Sequence, residues 1–186
     1  MKLRIIGGNF KGKKLQPVRG RRTRPTADRI RESIFDIIGD RVREAMVLDL
    51  FAGTGALGIE ALSRGADGAV FIDNDENSNF MIRKNIHSCA FDEKTKVIKW
   101  DIVKNLNCIC TIKPKFDLVL MDPPYNKKKI TMTLLNLHQS RSLIKRADII
   151  IEHSVAEPIS ENHSIFKMID QKRYGKTLVS ILNFMI

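Results

Sequence analysis

The sequence predicts an α/β fold, a mostly parallel sheet wrapped by helices with an antiparallel hairpin at one side. Three observations predict it. From residue 46 onward, short apolar runs alternate with amphipathic segments. LDLFAGTGALG, residues 48–58, sets a glycine-rich turn between a strand and a helix. The chain ends in SIFKMIDQKRYGKTLVSILNFMI, which reads as two strands joined by a turn near Tyr174-Gly175.

The elements follow in order. LRII, a Gly7-Gly8-Asn9 turn and KKLQPV make a short β ribbon, followed by a basic loop. Pro25-Thr26 opens a helix that Thr26 can cap; Ala27, Ile30, Ile34, Ile37 and Ile38 share one face, and Gly39 closes it. MVLDLF, residues 46–51, is the first strand of the alternating region, and GALGIEALSRGA is a helix ending at Gly65. AVFID is the next strand, and Asp75 starts a helix with Ile82, Ile86 and Cys89 along one stripe. KVIKW, FDLVLMD and ADIIIEH are the third, fourth and fifth strands, with a helix around residues 130–143 before the last of them.

A length of 186 residues suits a single domain, with residues 1–25 as a basic ribbon-like extension. No apolar run reaches the roughly 18 residues of a membrane span, and the N-terminus lacks the apolar core of a signal peptide. Cys89, Cys108 and Cys110 lack zinc spacing and read as reduced thiols, so a cytoplasmic protein without a metal is expected. The formal charge is +11, and its placement is the informative part. Residues 1–31 carry eleven Lys or Arg against one acid, Asp28, while the remaining 155 residues hold 21 basic and 20 acidic side chains. A structured basic segment of this kind is expected to read a polyphosphate, which fits a nucleic-acid partner without choosing RNA or DNA.

Two motifs carry chemistry. In the first, Gly53 and Gly55 let backbone approach a ligand beyond the carboxyl end of a strand, and Asp73 lies 20 residues past Gly53 at the end of the next strand, where it would take a ribose diol. Dinucleotide oxidoreductases and S-adenosylmethionine (SAM) enzymes share this layout, and the glycine pattern alone does not separate them. Asp49 just before the glycines disfavours a pyrophosphate and suits a cationic ligand. Asp101, after the third strand, is a candidate acceptor for an adenine amine.

The second motif is MDPPY. An exocyclic amine on a base is a poor nucleophile, because its lone pair is delocalised into the ring. Acceptance of its N–H groups by the Asp122 carboxylate and the Pro123 carbonyl would favour a pyramidal nitrogen. Pro123 and Pro124 restrict φ and hold that carbonyl in place beforehand. Tyr125 offers a ring for base stacking, worth roughly 1–3 kcal/mol. Lys127–Lys129 reads equally well as a solvated run or as phosphate contacts.

In RIIGGNFKGKKL, TRPTADRIRESIF, LDLFAGTGALGIEALSRGA, FIDND and MDPPY the chain resembles the bacterial small-subunit rRNA guanine-N2 methyltransferases, the RsmD family. The resemblance implies a Rossmann-like class I SAM-dependent methyltransferase with a seven-stranded sheet whose last strand is antiparallel. It implies SAM as cofactor and a guanine of 16S rRNA as substrate, in an assembled or nearly assembled small subunit, acted on by a monomer. Asp49, Phe51, Ala52, Gly53 and Gly55 would cradle the methionine part, Asp73 and Asn74 the ribose, and Asp101 the adenine. Asp122, Pro123, Pro124 and Tyr125 would hold the guanine amine. Arg4, Lys11, Lys13, Lys14, Arg22, Arg24, Thr26 and Arg29 are the expected RNA contacts, with Arg24 and Thr26 equally able to reach the SAM carboxylate. The family often has Glu where this chain has Asp73, one methylene shorter. The rival readings are adenine-N6 or cytosine-N4 methylation, a nicotinamide oxidoreductase, and a non-catalytic assembly factor.

Overall fold

The computed structural model describes residues 3–18, 25–125, 129–159 and 165–186, with backbone alone at 25–27. Among the described residues four α-helices, α1 Pro25–Ile38, α2 Ala56–Ser63, α3 Glu76–Ser88 and α4 Lys129–Ser140, flank one seven-stranded sheet. Its strands are β1 Met46–Leu50, β2 Gly68–Asp73, β3 Thr95–Lys99, β4 Phe116–Met121, β5 Leu143–Ser154, β6 Phe166–Tyr174 and β7 Thr177–Phe184, in the order β3-β2-β1-β4-β5-β7-β6. Strands β1 to β5 pair in parallel, and β7, the last in the chain, lies antiparallel between β5 and β6.

The central strands are buried on both faces, so they read as continuous apolar runs rather than alternating ones. The pleat still sorts them. Val47, Ala69, Phe71, Leu118, Leu120 and Ile150 face the core shared with α1, α2 and α3, while Leu48, Leu50, Val70, Ile72, Val119, Met121, Ile149 and Ile151 face the core shared with α4. Residues 73, 122 and 152 follow the same parity onto the α1–α3 side, which bears on the site below.

The N-terminal ribbon joins that side of the molecule. Leu3, Ile5 and Leu15 lie in the same core as Ile30, Ile34, Phe35 and Ile59. Its strands pair through Leu15 N–H to Leu3 C=O and Ile5 N–H to Lys13 C=O, both 2.9 Å, with a single bridge pair, Arg4 and Lys14. Regular strands do not develop because the next amides are taken elsewhere. Glu60, fully buried on α2, accepts from the N–H groups of Ile6 and Gly7 at 2.7 Å each, and from Arg64 Nε at 2.9 Å. Buried Arg31 of α1 closes the cluster, donating to Arg4 C=O at 2.7 Å and to Asp28 at 3.0 Å.

The predicted helices and sheet strands form, while the ribbon is reduced to one bridge pair, and three shifts are of physical interest. The first strand stops at Leu50, because Phe51 turns to φ +58°. The helix expected around 130–143 ends at Ser140, and Arg141 at φ +53° starts the reversal into β5. β5 runs twelve residues where ADIIIEH predicts seven; its exposed Lys145 and Arg146 belong to an irregular stretch whose register with β4 slips between Phe116 and Leu118.

Candidate active site

The sheet order reverses between β1 and β4: the chain runs from β1 outward to β2 and β3, then returns to lay β4 on β1's other side. Ligands of open α/β sheets bind beyond the strand ends at such a switch point. Both sequence motifs emerge there. Asp122 N–H reaches Leu50 C=O at 3.5 Å, so the turn after β1 and the MDPPY segment after β4 start side by side.

The glycine turn is built from beneath by two carboxylates. Asp73 at the end of β2 accepts from Gly53 N–H at 2.8 Å and from Asp75 N–H at 2.9 Å. Asp49, 1% exposed, accepts from Gly58 N–H at 2.9 Å in the first turns of α2. Burial pushes the Asp49 carboxyl up to about 7, against the lowering by the Gly58 amide, and Asp73 nearby pushes it further. Gly55 sits at φ +76° immediately before α2, a conformation that favours glycine. At Gly58 a Cβ would lie 2.4 Å from the Phe71 ring, so only glycine lets α2 settle on β2. Asn85 of α3 ties the turn to the ribbon, donating to Thr54 C=O at 2.9 Å and to Gln16 C=O at 3.0 Å and accepting from Gln16 N–H at 2.7 Å.

Above this turn opens a cleft of about 470 Å³ lined by Phe51, Asp73, Asn74, Asp122, Pro123, Pro124, Tyr125, Lys129 and Glu152. Seven of these nine are sequence-predicted site residues. Asp122 is exposed to the cleft and Pro123 is buried. Tyr125 is held by its hydroxyl, which donates to Glu152 Oε1 at 2.8 Å and lies 3.2 Å from Thr177 Oγ1. Burial, then the Glu152 charge, raise the phenol above its usual range, so the ring stays neutral. Lys129 Nζ stands 5.8 Å over the Phe51 ring. The Phe51 backbone conformation, uncommon for a non-glycine residue, turns the chain from β1 into the glycine turn.

Other predicted residues lie elsewhere. Asp49, Ala52, Gly53 and Gly55 shape the floor without lining the cleft. Asp101 lies beyond β3, is exposed, and accepts from Val103 N–H at 3.1 Å as a local turn cap. Arg4, Lys11 and Arg29 line a second hollow, of about 450 Å³, between the ribbon and α1, together with Asp28 and Glu32. Lys14 is exposed opposite Arg4, and Lys13 Nζ is 5.6 Å over the Phe10 ring. Arg22, Arg24, the Thr26 side chain, Lys127 and Lys128 lie outside the described residues. Sequence reasoning missed Glu152 and Thr177. The signal for Glu152 was present, since it is an acid at a strand end like Asp73 and Asp122. Thr177 had none.

The site is acidic where a ligand would sit, with Asp73, Asp122 and Glu152 against one ammonium, Lys129. That charge suits a cation and opposes a pyrophosphate. Among the described residues no group of three or more His, Cys, Asp or Glu could hold a metal, and no helix is long and apolar enough to cross a membrane.

Comparison with known proteins agrees with this geometry. The family model described as Conserved hypothetical protein 95 matches residues 3–183, well beyond residue 125, where the sequence motifs end. YlbH of Bacillus subtilis, provisionally assigned as an rRNA methyltransferase, is 34% identical over 96% of this chain and 97% of its own. Ribosomal RNA small subunit methyltransferase D of Escherichia coli (strain K12) is 34% identical over 82% of this chain and 75% of its own. Among solved structures, yhhF of Escherichia coli, provisionally assigned as a methyltransferase, superposes with a TM-score of 0.84 at 30% identity, covering 100% of this chain and 99% of that one.

Proposed function

The chain belongs to the Conserved hypothetical protein 95 family and is related to the small-subunit rRNA methyltransferase D sequences over most of its length, and from that membership we propose that it is a SAM-dependent methyltransferase acting on the N2 amine of a guanine in small-subunit rRNA. One observation carries the reading: the MDPPY cup, Phe51 ahead of the glycine turn, and Asp73 and Asn74 after β2 line a single anionic cleft at the sheet's switch point. A nicotinamide dinucleotide would bring a pyrophosphate into this acidic cleft and leave the cup without a use.

The residues present fit SAM. The carboxylates that line the cleft, Asp73, Asp122 and Glu152, suit an ammonium and a sulfonium. SAM, when bound, supplies an electrophilic methyl group. The chain's own residues do the rest. Asp122 and the Pro123 carbonyl accept the two amine N–H groups and turn the nitrogen lone pair outward. Tyr125, its ring fixed by Glu152 and Thr177, stacks on the base. Most of the acceleration comes from alignment and fixed dipoles rather than from a proton shuttle. The Arg4, Lys11 and Arg29 surface contacts the rRNA backbone, and the enzyme works in the cytoplasm, where that rRNA is assembled.

The test is transfer of labelled methyl from SAM to small subunits lacking the modification, to naked 16S rRNA and to duplex DNA, with the product nucleoside identified by mass. N2-methylguanosine on the subunits supports the reading. N6-methyladenine on any substrate overturns the base assignment while keeping the amine chemistry.

A further inference from the structure

Asp122 directly follows β4, and Glu152 lies two residues before the end of the neighbouring β5. The last paired residues of the two strands are Met121 and Ile151, each one residue before them, on strands about 4.8 Å apart. The pleat turns both to the same side of the sheet, and both line the cleft. Glu152 Oε1 is occupied by the Tyr125 hydroxyl; among the described residues Oε2 has no hydrogen-bond partner. The cleft therefore offers a second acceptor beside the one that takes the amine. Burial leaves the Glu152 carboxyl raised on balance, with the Tyr125 hydroxyl and then the Arg31 charge lowering it in part.

The three amine-bearing bases differ at the atom next to the amine. In adenine and cytosine the ring nitrogen beside it carries a lone pair. In guanine the amine lies between N3, which has a lone pair, and N1, which carries a proton, so N1–H and N2–H present adjacent donors. An ionised carboxylate only accepts. It binds guanine's N1–H and repels the ring nitrogen of the other two. The amine cup by itself cannot tell these bases apart, because all three present the same NH₂ to it.

Resting on the proposed amine methylation, we infer that Glu152 is the specificity-determining residue, selecting guanine by accepting its N1–H through Oε2 while Oε1 holds Tyr125. Its position couples selection to stacking: the same carboxylate that fixes the ring under the base reads the edge of that base.

The test uses 2-aminopurine, which keeps the 2-amine but has a lone pair at N1 in place of the proton. Small subunits are reconstituted on 16S rRNA with guanosine or 2-aminopurine riboside at the target position, and methyl transfer to each is measured with the wild-type enzyme and with Glu152→Gln. A carboxamide can turn either its oxygen or its NH₂ to the base and can still hold Tyr125. The wild type is expected to prefer guanosine by about 10- to 100-fold, the range for one well-placed base-edge contact. Glu152→Gln is expected to lose rate on guanosine, gain on 2-aminopurine, and bring the ratio to within a few-fold of one. The missing O6 of 2-aminopurine affects both enzymes alike, so the change in ratio isolates Glu152. An equal ratio in the two enzymes overturns the inference and leaves guanine-N2 methylation standing, with Glu152 a support for Tyr125 only. A wild type that methylates neither base at the 2-amine overturns both.

Discussion

The Tyr125 hydroxyl donates to Glu152 Oε1 at 2.8 Å, which binds the loop after β4 to the end of β5 across the mouth of the cleft. A ring at a strand-to-helix junction is otherwise free to swing. Thr177 of β7, 3.2 Å from the same hydroxyl, adds a second anchor from the antiparallel strand. The hairpin that closes the sheet thus has a use at the site: β7 beside β5 brings Thr177 to the Tyr125 hydroxyl as the second of its two anchors.

This anchoring separates two roles of Tyr125 that substitution can resolve. Tyr125→Phe keeps the ring and removes the anchor, and should lower kcat several-fold with little change in KM. Tyr125→Ala also removes the stacking face and should cost a further 1–3 kcal/mol, roughly 5- to 150-fold in kcat/KM. Steady-state kinetics on subunits checks both. Equal losses in the two variants would mean that the ring contributes nothing beyond its hydroxyl.

Asp122→Ala should abolish methyl transfer while SAM binding, followed by calorimetry, stays near the wild-type value. Asp122→Asn keeps one acceptor oxygen and should retain a small fraction of activity. A loss of SAM affinity in parallel with activity would move Asp122 from the amine to the cofactor.

Much of this was legible beforehand, and the misses have physical causes. The alternation of strands and helices showed because buried parallel strands are unbroken apolar runs. Strand order is not written in such runs, so the adjacency of the glycine turn and MDPPY needed the switch-point rule, and the structure then supplied the Asp122 to Leu50 contact. Asp101 and Glu152 show the limit of reading acids at strand ends. Both fit the pattern, yet Asp101 lies on the far side of β2 from the cup and caps its own turn, while Glu152 lies on the strand next to it. Only sheet order distinguishes them. The ribbon's pairing was legible in LRII, the Gly7-Gly8-Asn9 turn and KKLQPV, but not its early end, because the competing acceptor, Glu60, is 53 residues away from Gly7.

Asn85 joins the ribbon to the cofactor turn through Gln16 and Thr54, and is buried. Asn85→Ala leaves several backbone groups without partners, at about 1–3 kcal/mol for each one that water cannot reach. The expected result is a clear drop in Tm together with weaker SAM binding. Asn85→Asp keeps the acceptor for Gln16 N–H but sets a buried carboxylate oxygen against the Thr54 and Gln16 carbonyls, and should recover neither. A fall in Tm with unchanged SAM affinity would confine the residue to holding the ribbon.

Asp49 predicts a pH dependence of unusual sign. An unfolded aspartate titrates near 3.9, while in the native chain burial raises Asp49 to about 7. The native state therefore holds the extra proton between roughly pH 4 and pH 7. This contribution to stability is complete below pH 4 and is lost as pH rises through 7, by on the order of a few kcal/mol. Asp49→Asn, which can still accept from Gly58 N–H, should be more stable than wild type at pH 8 and level with it at pH 4. A bound cation would draw the carboxyl back down, so SAM should bind more tightly at pH 8 than at pH 6 in the wild type and show a flatter profile in the variant. Denaturant titrations at the two pH values, with and without SAM, check both halves.

The basic surface predicts a difference between neighbouring lysines. Lys11 is exposed and shares its hollow with Arg4 and Arg29, free to meet a phosphate. Lys13 is drawn over the Phe10 ring, which in turn packs edge-on against Phe91 at 4.9 Å between centroids. Its ammonium is committed to the fold and gains less from RNA. Each phosphate that a substitution leaves unneutralised should reduce the slope of log K against log salt by about 0.7 to 0.9. Lys11→Gln should therefore flatten the salt dependence of rRNA binding by nearly one unit with little effect on Tm. Lys13→Gln should lower Tm slightly and leave the slope close to wild type. Binding isotherms for 16S rRNA at several salt concentrations decide the matter. Equal slopes in all three proteins would mean that the ribbon surface does not touch the RNA, and that its charge serves only the solubility and packing of the N-terminal segment.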